Sequence, residues 1–247
     1  CAVLLAVATL AAAQAPQGRG GRGGPPAAPR QAAPIDLTGY WVSLVTEDWL
    51  YRQVTPAKGD LASVPVSPAG RTAAEAWDPA KDEAAGEQCK SYGAGNFMRL
   101  PGRFRISWDN ETTLKVETDY GTQTRLLHFD SAPSNGDLGY QGWSTATWEG
   151  GGGRRGANKG PSGVGDLKVV TTRMKPGYLQ KNGVPISNSA IVTEYFHRIG
   201  ESNGDSWMVV TTMVEDPVYL TGQFQRSSHY KLERDGSKWS PEPCSAR

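Results

Sequence analysis

The chain has 247 residues, of which 38% are hydrophobic, enough to bury a sizeable core. Its formal charge is +1, and Arg19, Arg22 and Arg30 all lie in the first 34 residues, which contain no acid, so residues 35–247 carry about −2. That balance excludes the strongly basic surface of a nucleic-acid-binding domain and gives no reason to expect a membrane as partner.

Residues 1–13, CAVLLAVATLAAA, are an unbroken run of small and apolar residues. A membrane-spanning helix needs about 20 such residues. The run ends in Ala11-Ala12-Ala13, a small-residue cleavage pattern, and so reads as the apolar part of a secretory signal peptide. With no Met and no basic stretch ahead of it, the sequence is expected to begin inside that peptide, and Cys1 stands on the wrong side of the run for a lipoprotein. Residues 14–34, rich in Gly and Pro, cannot bury enough surface to offset the entropy of ordering and read as a disordered Gly/Pro/Arg linker. Residues 35–247 fit a single domain.

That domain is dominated by alternation of apolar and polar residues rich in Val, Thr, Tyr and Trp. Strands are expected near 39–46, 103–109, 113–119, 122–129, 141–148, 166–174, 190–199, 206–215 and 223–233. Asp109-Asn110, Asp119-Tyr120-Gly121 and the run Glu201–Asp205 supply turns between consecutive strands. Short links force antiparallel neighbours, so the chain from 103 onward reads as a meander. One segment looks helical, at about 67–90 within the insertion 50–102, and Pro79 splits it in two. The expected fold is all-β: a closed, antiparallel up-and-down barrel of about 8–10 strands with a short helical insertion, the alternative being a β-sandwich.

Gly39-Tyr40-Trp41 opens the first strand. A Gly-x-Trp in that position of an exported up-and-down barrel resembles the lipocalins and the wider calycin group. The resemblance implies that Trp41 packs across the closed end and that the interior holds one small apolar ligand. The chain departs from that pattern in the roughly 50 residues inserted after the first strand. The phrases VTEDW, LPGRFRISW and NGVP also resemble a group of uncharacterised exported bacterial proteins, which implies no activity.

After signal removal two cysteines remain, Cys89 and Cys244, and an even count in an exported protein suggests a disulfide. No C-x-x-C supports a redox or metal role. His128, His197 and His229 lie on three predicted strands, yet none has the local spacing of a metal ligand, and no metal or cofactor is expected. On the strand 190–199, Val192, Glu194 and Phe196 share one face and Thr193, Tyr195 and His197 the other. Glu194 or His197 then points into a semi-apolar interior, where desolvation suits a carboxylate to acid–base work. The plainer reading pairs Glu194 with an inward arginine, Arg125 or Arg173. Tyr195, His229 and Tyr230 flank the 206–215 strand. The glycine-rich run 150–165 reads as a hairpin loop, with Arg154, Arg155 and Lys159 near one end of the barrel, and Asn110-Glu111-Thr112 matches a glycosylation sequon that a hairpin also explains.

The functional expectation is an exported, periplasmic or extracellular binding protein for a small, mostly apolar molecule, lined by Trp41, Glu117, His128, Tyr195 and Tyr230. The alternatives are a cofactor-independent isomerase, lyase or cyclase using Glu194 and His229, or a structural module of the envelope. The sequence leaves the oligomeric state open.

Overall fold

The computed structural model describes residues 27–46, 48–130, 138–150 and 165–247. The nine alternating stretches form strands β1 (Gly39–Leu44), β2 (Arg103–Asn110), β3 (Thr113–Thr118), β4 (Gln123–His128), β5 (Trp143–Glu149), β6 (Asp166–Thr172), β7 (Ile191–Gly200), β8 (Ser206–Glu215) and β9 (Phe224–Glu233). In β8 the period of two is unbroken: Ser206, Met208, Val210, Thr212 and Val214 are buried, and the residues between them face outward. Each strand pairs with its neighbour in sequence, and β9 returns to β1 with Tyr40 opposite Glu233 and Leu44 opposite His229. The result is a closed up-and-down barrel rather than a sandwich.

A closed ring of strands alternating in direction needs an even number. Nine strands force one parallel contact, and it falls between β4 and β5, where Leu127 faces Ser144 and His128 faces Thr145. The simple meander expected from short links therefore breaks once. The 14 residues between His128 and Trp143 give the long connection that a parallel neighbour requires.

At the end where β1 begins, the floor, Ile35 and Leu37 are buried and Trp41 Nε1 donates to the Leu37 carbonyl at 2.9 Å. The Arg198 guanidinium lies 5.7 Å from the centre of the Trp41 ring and donates to the Asp36 carbonyl. Trp108, Phe129 and Trp148 pack together against the same core. The last residues of the segment read as a linker also make contacts here. Trp148 Nε1 donates to the Pro29 carbonyl at 2.9 Å, and the Arg30 amide donates to the Glu111 carbonyl at 3.1 Å.

The opposite end is roofed by the insertion and by the 173–190 connection. The expected helical segment is there as α2 (Pro68–Glu75) and α3 (Pro79–Ala84), capped by Ser67 and Asp78 and each started by its proline. Two further short helices were not anticipated, α1 (Trp49–Arg52) ahead of them and α4 (Ala94–Phe97) after them. Every residue from Ser91 to Leu100 is buried. This segment enters the barrel: Phe97 meets Phe104 edge-on at 5.6 Å, and the Met98 carbonyl accepts from the Tyr230 hydroxyl. Just ahead of it, Cys89 is bonded to Cys244, spanning 155 residues of sequence. Glu242–Pro243 lie parallel to Tyr120–Gly121, where Gly121 has φ +86° and a Cβ would stand 2.2 Å from the Tyr92 ring, so only glycine fits. No helix among the described residues is long and apolar enough to cross a membrane.

Candidate functional site

The interior is apolar along most of its length, with Trp41, Phe104, Leu114, Val116, Leu167, Val169, Phe196, Met208 and Val210 all buried. Its middle is not. Inward positions on five consecutive strands, β4 to β8, supply Arg125, Ser144, Thr171, Glu194 and Thr212, all buried. Arg125 Nη2 lies 2.6 Å from Glu194 Oε2 and 2.7 Å from Thr171 Oγ1, and Arg125 Nε donates to Ser144 Oγ at 3.1 Å. The two charged side chains are 1% and 0% exposed. Thr212 Oγ1 reaches the other carboxylate oxygen, Oε1, at 3.5 Å. Arg125 Nη1 has no partner among the described residues.

A second cationic group hangs from the roof. Arg52, on α1, donates to the carbonyls of Leu44 at 2.7 Å and Arg99 at 3.0 Å and to the Ser43 hydroxyl. Arg99, two residues beyond α4, donates through Nη2 to Asp48 Oδ2 at 2.7 Å, while its buried Nε and Nη1 have no partner among the described residues. Burial pushes the Arg99 guanidinium below its usual pKa, and Asp48 opposes that shift. Arg99 and Arg226 lie 5.4 and 4.7 Å from the centre of the Phe224 ring. Burial also pushes the Tyr230 hydroxyl well above the normal phenol range. Tyr230 is therefore a fixed donor to Met98 and not a base.

Of the seven residues proposed from sequence, Trp41, Glu194 and Tyr230 face the interior, and the other four do not join them. Glu117 lies on the outer face in a bidentate pair with Arg105, both distances 2.8 Å. His128 stacks flat on Trp143 outside the barrel, rings 4.0 Å apart, and burial there lowers its pKa. Tyr195 carries the Lys168 ammonium 5.6 Å from its ring centre on the outer wall. His229 sits between the buried Ser228 and Tyr230 and so takes the outward phase of β9. The period-two rule explains all four: each is one residue out of step with an inward neighbour.

His197 is outward too, 2.6 Å from Asp166, and no group of three or more His, Cys, Asp or Glu that could hold a metal exists among the described residues. Arg173, the other partner considered for Glu194, is exposed at the end of β6 with φ +59°. Asn110 Oδ1 accepts from the amide and hydroxyl of Thr112, forming the hairpin turn over the sequon. Arg154, Arg155 and Lys159 lie outside the described residues.

Two surface clefts, of about 480 and 320 Å³, open beside Ile191 and Leu220 and beside Trp77 and Tyr178. Neither is lined by Arg125, Glu194 or Tyr230. Sequence reasoning missed Arg52 and Arg99. Both belong to the insertion, where no strand phase marks a residue as inward. No protein-family model matches the chain, and neither the curated proteins nor the solved structures contain a match to it.

Proposed function

We propose that this is an exported binding protein that holds a small, largely apolar molecule at the roofed end of its barrel. The observation that carries this reading is the buried charge in an otherwise apolar interior. Replacing a buried ion pair with apolar residues of similar volume is often neutral or stabilising, so a purely structural barrel gains little from Arg125 and Glu194. At the roofed end the interior is filled by Ser91–Leu100 rather than by strands, and the ligand seats against this segment beside α1. Trp49, Leu50 and Val54 are 51%, 50% and 48% exposed, which leaves apolar surface for the ligand body at the same end. The disulfide suits an oxidising compartment.

Acid–base catalysis fits less well. The Glu194 carboxylate is already engaged by Arg125 and Thr212, and His229 lies on the other side of the barrel wall. The test is titration with Nile red, a neutral dye whose emission reports an apolar site. Saturable binding of one dye per chain, weakened by Phe97→Ala or by Trp49→Ala, is expected. Absence of saturable binding would overturn the proposal and leave the envelope-module reading.

A further inference from the structure

We infer that the roof cleft between α2 and the 173–190 connection receives Pro25-Pro26 of a second copy of this chain, so that copies associate head to tail. The cleft holds about 320 Å³, at the small end of the range for binding pockets, and so takes a short group. Trp77, Tyr178, Tyr219, Pro176 and Pro185 form most of its wall.

These side chains are held from behind. Gly177–Tyr178 pair with Pro185–Ile186 in a short hairpin. The Tyr178 hydroxyl donates to Asp82 Oδ2 at 2.8 Å, and Lys90 Nζ takes the other carboxylate oxygen at 2.7 Å. Trp77 rests on Gly183, whose φ is +85°, and a Cβ there would stand 2.2 Å from the indole. Lys90, the one charged residue of the lining, is already paired with Asp82 and Glu87. What the cleft offers is rigid stacking surface. Proline rings match it, because a Pro-rich segment is extended before it binds and loses little entropy on docking.

Position and charge choose the occupant. The described chain starts at Ala27 beside the floor, where Pro29 and Arg30 are bonded to Trp148 and Glu111. Pro25 and Pro26 precede Pro29 by four and three residues, a reach of roughly 10–14 Å. The roof of the same barrel lies a strand length away: ten residues, as in β8, rise about 25 Å along the axis at the usual tilt. These prolines therefore reach the cleft of another copy and not their own. Ahead of them stand Arg19 and Arg22, with no acid in residues 14–26. Residues 71–90, which include α2 and α3, carry five acids against three bases. Charges of +2 and −2 thus complement each other across the contact. With segment and cleft at opposite ends, each added copy still presents one of each.

The experiment is sedimentation velocity on the chain beginning at Gln14, from about 0.01 to about 1 mM, a range that brackets the weak affinity of one short segment. The average mass is expected to rise with concentration, and about 0.5 M salt should reduce the rise by screening. Pro25→Ser combined with Pro26→Ser should weaken association about tenfold, as should Trp77→Ala, the scale of losing one anchor. Mixed together, these two proteins should form a 1:1 pair and grow no further, since one keeps its cleft and the other its segment. Should Trp77→Ala not fold, as judged by its melting curve, Ala76→Arg replaces it, because Ala76 is exposed and lines the cleft. A mass that stays at one chain throughout overturns the inference. So does association that the proline variant leaves unchanged, or a mixture that fails to pair. These results are independent of what the barrel holds, which the dye titration decides.

Discussion

Arg125 and Glu194 can be read as a pair whose removal is felt unequally. Glu194→Gln leaves a guanidinium 1% exposed with no counter-charge, and breaking a buried pair from one side costs about 3–5 kcal/mol. For a domain of this size that lowers the melting temperature by roughly 6–20 °C. The double variant Arg125→Met, Glu194→Gln should recover more than half of the loss, because no charge remains buried. Thermal melts of the four proteins close the cycle, and simple additivity of the two single losses would contradict the pairing. The sequence contained both partners. Arg125 and Leu127 share a phase, as do Val192, Glu194 and Phe196, so an acid and a base on apolar faces had to meet inside a closed barrel. The same rule placed His229 and Tyr195 outside, and only the pairing of the strands revealed which phase was which.

Among the strands the joints differ greatly in length. β7 and β8 pair from Ile191–Glu215 to Gly200–Ser206, whereas β4 and β5 meet at two positions. The short joint is covered by the flat His128–Trp143 stack, one residue from each strand. Local opening follows the number of hydrogen bonds and the buried contacts that must be broken. Hydrogen exchange should therefore be fastest, among barrel strands, in β4 and β5 amides that face each other, and slowest in β7 and β8. Trp143→Ala should accelerate exchange at Leu127, His128 and Ser144 and leave Val210 unchanged; uniform acceleration across the barrel would show that the seam is no weaker than the rest. Alternation made all nine strands legible because each has one wet and one dry face. Ser91–Leu100 was not legible, since a segment buried on every side has no exposed face to impose a period. The parallel joint was hidden for another reason: it follows from counting strands around a closed ring.

Across the molecule, the Cys89–Cys244 bond ties the last residues to the start of the buried roof segment. In the chain-entropy account a loop of this length contributes roughly 4–5 kcal/mol, by limiting the unfolded chain. Cys244→Ser is expected to lower the melting temperature by about 8–20 °C. Alkylation of the denatured, unreduced wild type should find neither thiol free. A melting point within a degree of the wild type would mean that the loop closure counts for little in the unfolded ensemble.

The pairing of the first strand with the last has a consequence in time. β1 finds its two neighbours only at β2, beyond the long insertion, and at β9, where Tyr40 meets Glu233. Contacts so distant along the chain make folding slow, on the order of milliseconds to seconds, because loop-closure entropy precedes any gain. As the chain emerges residue by residue, it carries unpaired edges on β1 and β8 until Phe224–Glu233 has appeared. A ribosome-stalled or truncated chain ending before residue 224 thus presents two open strand edges, and it is a template for aggregation in a way the finished ring is not.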